Sequence, residues 1–253
     1  MSIPLVPEDF QAEVQEAERE NLPAKLILLR SEAQGSPWET AGTAIADQAL
    51  LSLPPNARVE RVILFTGHRV DAPGRKIPRF PASMEPVARA AIHQAVVREK
   101  GNSRGATLGI AGGANGGDIL FLEVCEELGI PSEMLLTLPA DQFIKASVEN
   151  ADPSWVARFD HQLSIHPNTP ILAESEELPH WLAFKKGYDI WQRNNLWLLS
   201  QALSHPAQQR MLIALWDGAT GDGPGGTEHM TTLAKVHGAE CVLLKTKELF
   251  SGV

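Results

Sequence analysis

Arg61-Val62-Ile63-Leu64-Phe65-Thr66-Gly67-His68-Arg69 is the stretch on which the fold turns: an apolar run that breaks at a glycine and becomes basic at once. A short apolar run bounded by turn residues has the length of a buried strand rather than of a helix. Gly67 permits a sharp exit from that strand. The same shape recurs downstream. Apolar runs at 107–111 (TLGIA), 133–138 (EMLLTL), 210–215 (RMLIAL) and 241–245 (CVLLK) alternate with amphipathic stretches at about 83–100, 117–128, 141–148, 154–164, 179–203 and 227–237. Strands alternating with helices predict βαβ units and a parallel sheet. Some seventy residues of mostly helix separate the third strand from the fourth. A crossover that long suits a Rossmann-like, doubly wound sheet ordered 3-2-1-4-5, in which the chain must return past its first strand.

Upstream of this unit the character changes. Residues 1–60 carry ten acids against four bases, whereas residues 61–79 carry five bases and one acid. Leu53-Pro54-Pro55-Asn56 reads as the hinge, which divides the chain into an acidic helical segment, 1–58, and an α/β domain, 59–253. Pro7 followed by Glu8 and Asp9 suits a helix start. Phe10, Val14 and Ala17 then recur at helical spacing, and further helices are expected at 22–33 and about 41–52. This segment is expected to pack on the domain rather than to carry chemistry.

The overall balance excludes several classes of protein. A net charge of -9 argues against coating nucleic acid by bulk electrostatics. The two cysteines, Cys125 and Cys241, sit in apolar runs and form neither a disulfide framework nor a zinc motif. The first residues lack the basic-then-apolar pattern of a signal peptide, and no uncharged stretch nears the roughly 20 residues that span a bilayer. A cytoplasmic protein without a membrane segment is expected.

In a parallel sheet, ligands bind beyond the carboxyl ends of the strands, where the strand order reverses. Three loops there are unusual. After the first strand, Thr66 supplies a hydroxyl, and His68 and Arg69 supply donors where a phosphate would lie, with Arg75 and Lys76 nearby. The bland alternative is a solvated basic loop. After the second strand, Gly112-Gly113-Ala114-Asn115-Gly116-Gly117-Asp118 runs straight into a helix and leaves backbone N–H groups unshielded for an anion. Asp118 is expected to cap that helix, with a ribose hydroxyl as its alternative partner. After the fourth strand, Trp216-Asp217-Gly218 leads through Gly221-Asp222-Gly223-Pro224 to Gly225-Gly226-Thr227-Glu228, a second glycine turn opening a helix. The loop 112–118 is not G-x-G-x-x-G and the chain has no G-x-x-x-x-G-K-[ST], so neither a conventional dinucleotide fingerprint there nor an ATPase loop is supported.

The three loops together resemble the SLOG superfamily, which groups the LOG phosphoribohydrolases, molybdenum-cofactor carriers and DprA proteins. The resemblance covers about 59–245. It rests on Ile63-Leu64-Phe65-Thr66-Gly67-His68-Arg69, on the loop 112–118 with Ile119-Leu120-Phe121 after it, and on Gly225-Gly226-Thr227. It is nearest to the SLOG-like regions found beside helical repeats and cyclase domains in bacterial proteins. The resemblance implies a Rossmann-type domain binding a nucleotide or nucleotide derivative, in several members as a signal. The hydrolytic LOG branch carries P-G-G-x-G-T-x-x-E. Here the position three past Thr227 is Met230, which can neither take nor give a proton. Of that branch's R-K pair only Arg193 carries over, with Asn194 in place of the lysine.

Two readings follow. The first is a sensor of a nucleotide-like small molecule, read out by the helical segment or a signalling partner protein, with a homodimer as a further possible partner. The second is a nucleosidase or phosphoribohydrolase using Glu228 or Glu123 as acid/base and Arg193 for phosphate positioning. For both glutamates an exposed or capping role is the competing reading, and the tryptophans of 179–203 are expected in the core. His68 and His229 with Asp217 or Asp222 match no metal-ligand spacing, and no metal is expected.

Overall fold

The computed structural model describes residues 5–219 and 225–251. Five strands, β1 (Val59–Gly67), β2 (Thr107–Ala111), β3 (Ser132–Met134), β4 (Ala207–Trp216) and β5 (Glu240–Lys245), form one sheet ordered β3-β2-β1-β4-β5. Every pairing is parallel. The β1–β4 ladder is the longest, running from Val59 opposite Ala207 to Gly67 opposite Leu215. This is the doubly wound order that the spacing of the apolar runs predicts.

Side-chain alternation along the strands splits the core into two layers. Ile63, Phe65, Ala111, Ile213 and Leu215 face a layer built from α4 (Glu85–Gly101), α5 (Gly117–Glu127), α6 (Ala140–Ser147) and α7 (Ser154–Ile165). Phe65 stacks on Phe121 of α5 with ring centroids 4.8 Å apart. Val62, Leu64, Leu108, Ile110, Leu212 and Ala214 face the other layer, α8 (Ile190–Ser204) and α9 (Thr227–Val236). A short last helix, α10 (Thr246–Leu249), is followed by Phe250, which stacks on the buried Phe80.

Three helices precede the sheet: α1 (Glu8–Arg19), α2 (Pro23–Ala33) and α3 (Glu39–Ser52). They share a third apolar cluster, in which Phe10, Val14, Leu26, Leu29 and Trp38 meet Trp181 and Leu182 of the α/β unit. Leu28 of α2 enters the sheet's own core, and Glu32 of α2 is bonded to Arg193 of α8. The acidic segment is thus packed on the domain through both apolar and charged groups.

Two sequence expectations need correction. The run 133–138 is not one strand: pairing stops at Met134, and Leu136 instead bridges Ile171 in parallel. Leu135, Leu136 and Leu138 are buried all the same, so apolarity there reports burial and not membership of the sheet. Nor is 179–203 one helix. A 3-10 turn at His180–Leu182 leads through Gly187, at φ 71, to a fresh start at Asp189. There the Asp189 carboxylate accepts from the Gln192 N–H at 2.8 Å, and Gln192 Oε1 accepts from the Asp189 N–H at 3.1 Å. That reciprocal capping box begins a new helix and cannot lie inside one.

Candidate functional site

The strand order reverses between β1 and β4, and the loops that follow them are locked together there. The His68 N–H donates to the Leu215 carbonyl at 2.9 Å, extending the ladder by one bond. The Asp217 N–H then donates to His68 Nε2 at 3.0 Å. In that bond Nε2 carries no proton and the neutral ring holds its proton on Nδ1. Asp217 Oδ1 lies 3.1 Å from the same Nε2, which donates to it as an N–H in the other neutral tautomer and in the charged ring. Burial lowers the His68 pKa below the ordinary histidine value, against the raising effect of Asp217, so the ring is neutral at pH 7. Among the described residues His68 Nδ1 has no hydrogen-bond partner.

Around this pair the charges alternate. Asp217 accepts from the Ala219 N–H at 3.0 Å, and its other oxygen lies 3.8 Å from Arg79 and 3.9 Å from Lys247. Burial opposes ionisation of Asp217, but the Ala219 N–H, His68 and Arg79 together hold its pKa below the usual carboxylate range. Asp71 closes the basic loop by accepting from the Arg79 and Phe80 N–H groups, each at 2.9 Å. Arg69 is exposed and donates to the Ala146 carbonyl at 2.7 Å, and Lys76 is exposed. Thr66 and Gly67 end β1 half-buried. Arg79, whose backbone Asp71 holds and whose guanidinium faces Asp217, is a member of the site that the sequence marked only as part of a basic run.

The second glycine loop serves the first. Gly116 has φ 80, and its backbone lies against His68, Arg69 and Val70. Gly117 touches Gly67 and donates its N–H to the His68 carbonyl at 3.1 Å. Asn115 is fully buried: its Oδ1 accepts from the Val70 N–H at 3.0 Å, and its Nδ2 donates to Val148 and Asn150 at 2.7 and 2.6 Å. Gly113 faces Met134, Leu136 and Phe159 in the core. Asn115, Gly116 and Gly117, expected to cradle a ligand, brace the His68–Arg69 turn, the first by its side-chain bond and the glycines because only they let two backbones approach so closely.

Asp118 is not the cap of α5. Gly116 holds that position, and the Asp118 carboxylate turns back beside Gly112 to accept from the Ala114 N–H at 3.4 Å. Burial raises its pKa from 3.8 to about 7, with the Ala114 N–H and the Arg69 charge pulling the other way. An acid raised in the folded state binds its proton more tightly there than in the unfolded chain. Stability therefore falls as pH rises from about 4 through about 7. Asp118→Asn should change stability little near pH 4 and raise it at pH 8 by on the order of 4 kcal/mol, which urea unfolding at the two pH values measures. Equal effects at both would show that the carboxyl carries no such penalty.

After β4, residues 220–224, which include the expected Gly221, Asp222, Gly223 and Pro224, lie outside the described residues. Gly225 resumes at φ 81 with its backbone against Trp191 and Gln192 at the start of α8. Asn195 of α8 donates to the Gly225 and Gly226 carbonyls at 2.7 and 3.2 Å and lies 3.2 Å from His229 Nδ1. Asn195, which no motif singles out, stands six residues past the Asp189 cap, on the helix that faces this turn. Gly226 caps α9, Thr227 is buried at its first position, and Glu228 is exposed. Met230 is fully buried in the core.

The remaining candidates are drawn elsewhere. Arg193 does not face these loops: its side chain is 3% exposed, pairs with Glu32 at 2.6 Å and lies over the Trp181 ring. Glu123 is held by Arg158 through two 2.7 Å bonds on the outer side of α5, with Glu85 sharing the same guanidinium. Both are engaged in packing, so neither stands where it could position a phosphate or move a proton at this edge. Among the described residues no group of three or more His, Cys, Asp or Glu is placed to hold a metal ion. No helix among them is long and apolar enough to cross a membrane. Compared with protein-family models, with curated proteins and with solved structures, the chain matches none.

Proposed function

We propose that the protein binds an anionic small molecule, a nucleotide or nucleotide derivative, at the carboxyl edge of its sheet, and that it acts as a binding or sensor domain. The observation that carries this reading is the braced turn at the β1–β4 switch point. A neutral His68, whose Nδ1 makes no hydrogen bond among the described residues, and an Arg69 beside it are held by Asn115, Gly116 and Gly117 of the next loop. Prearranged donors at a switch point are what a phosphate-bearing ligand requires. The start of α9, at Gly226-Thr227-Glu228, faces the same edge and adds helix N–H donors, with Glu228 available to a sugar hydroxyl. The motif resemblance to the SLOG superfamily supports the same ligand class.

Hydrolysis is the weaker alternative. The buried Met230 and the engagement of Arg193 and Glu123 leave Glu228 as the sole acid of the expected set near the loops.

A thermal-shift panel of nucleoside mono-, di- and triphosphates tests the proposal, because a ligand held by the native state alone raises its stability. At a hundredfold excess over Kd the gain is about 2.7 kcal/mol, a readily measured rise in Tm. Arg69→Ala should weaken binding about tenfold or more through loss of a charge-assisted bond. Binding should also tighten as pH falls from 8 to 6, where Asp118 takes up its proton and ceases to compete for Arg69. No shift with any member of the panel, or shifts indifferent to Arg69→Ala, would overturn the assignment.

A further inference from the structure

A second hollow lies away from these loops, where the start of α2 meets β3 and the segment between α7 and α8. It encloses about 580 Å3, within the range of small-molecule sites, and Ser132, Glu133, His166, Asn168, Trp197 and His205 help to line it. Ser132 is the first residue of β3, and His166 closes the carboxyl end of α7. Their side chains meet here, with Ser132 Oγ 2.9 Å from His166 Nε2. The other ring nitrogen, Nδ1, lies 2.8 Å from the Gln162 carbonyl oxygen.

The tautomer follows from that second bond. A carbonyl oxygen can only accept, so Nδ1 carries the proton. In the neutral ring Nε2 is then bare and accepts from the Ser132 hydroxyl. Hydroxyl, base and orienting acceptor are joined in sequence by these two bonds, the order in which an activated serine is held. The walls point to a class of substrate. Leu22, Ile165 and Ile171 line the hollow and are 42%, 43% and 45% exposed, three of the eight large apolar side chains left in water among the described residues. The Glu133 carboxylate, on the same rim, accepts from Gln201 at 2.8 Å and lies 3.2 Å from His205 Nε2.

We propose that Ser132 is a nucleophile, activated by His166, at a second site that takes a small carboxylic ester with an apolar acyl group. Ser132 Oγ bonds to the acyl carbon while its proton passes to His166 Nε2. The ester C–O bond then breaks, and His166 returns the proton to the departing alkoxide. Water, deprotonated by the same ring, cleaves acyl-Ser132 to the carboxylic acid and restores the hydroxyl. Asn168, on the same rim, brings a side-chain amide donor for the oxygen of the tetrahedral intermediate.

The same two bonds could serve only to fasten α7 to β3, and covalent labelling separates the roles. The full chain is incubated with an alkyl fluorophosphonate, the adduct is mapped by peptide mass, and turnover of p-nitrophenyl butyrate is followed in parallel. The expected result is one adduct on Ser132, absent in Ser132→Ala and formed at least about a hundredfold more slowly in His166→Ala. No adduct on Ser132 in the folded wild-type chain, or turnover unchanged in Ser132→Ala, overturns the proposal. If His166→Ala does not fold, Ser132→Cys decides the matter. Iodoacetamide should alkylate that thiol well below its ordinary pKa, because His166 takes its proton. An ordinary thiol profile at position 132 overturns the proposal equally.

Discussion

Glu32→Ala is expected to lower the unfolding free energy by about 3–5 kcal/mol, the cost of leaving a buried charge without its partner. Glu32 has no exposed surface and makes two bonds across the boundary between the acidic helices and the α/β unit. One oxygen accepts from Arg193 Nε at 2.6 Å and the other from Trp181 Nε1 at 3.0 Å. Arg193 already has one nitrogen, Nη2, buried without a partner, so removing the carboxylate leaves Nε as a second unsatisfied donor on the same buried cation. Glu32→Gln, which keeps the shape and an acceptor for Trp181, should cost less. The double change Glu32→Leu with Arg193→Met should cost least of all, since it removes both charges and refills their volume. Urea unfolding of the three variants, followed by tryptophan fluorescence and far-UV circular dichroism, checks the order. A loss below about 1 kcal/mol for Glu32→Ala would show that the pair does not join the two parts. Two residues beyond Arg193, Asn195 holds the Gly225–Gly226 turn, so this joint anchors the helix from which one loop of the proposed site is positioned.

How much of this was legible in the sequence depends on the range of the interaction. Strand order was legible because the seventy-residue gap after the third apolar run admits few right-handed routes back to the first strand. Residues 135–138 were misread because a buried apolar run looks alike whether or not it pairs. The restart of α8 was visible in principle: Asp189 and Gln192 stand at capping-box spacing, two residues after a glycine. The Trp181 and Phe184 periodicity concealed it, since those side chains pack on the N-terminal helices from a turn and a loop. At the site, the positions of the loops were readable but the division of labour among them was not. A glycine that makes room for a phosphate and one that makes room for a neighbouring backbone are the same letter. Gly116 and Gly117 proved to be the second kind. Arg193 looked available because its partner, Glu32, lies 161 positions away. The His68–Asp217 pair spans 149 positions and is equally hidden, although both residues were marked individually by their place after strands.

That division of labour makes Gly116→Ala the sharpest test of the braced turn. At φ 80 and ψ -123 Gly116 occupies backbone space that L residues avoid, which alone costs about 1–3 kcal/mol. An added Cβ would also lie 2.7 Å from the Val70 nitrogen, 2.9 Å from the His68 oxygen and 3.1 Å from the Arg69 carbonyl carbon. All three are main-chain atoms, so no rotamer change relieves the clash. Overpacking of this kind adds about 1–3 kcal/mol. The expected total is on the order of 3–5 kcal/mol, with relief available only if the His68–Arg69 turn lifts away from α5. Gly74→Ala is the matched control: Gly74 has φ 81 in the same basic loop, yet nothing lies within 4 Å of its added Cβ. It should lose only the conformational part, about 1–2 kcal/mol, and keep any ligand-induced rise in Tm. Gly116→Ala should lose both stability and ligand response, because the strain and the proposed donors share one turn. Equal losses in the two variants would mean that the second loop does not brace the first, and the donors of the proposed site would then lack the rigidity on which the ligand assignment rests.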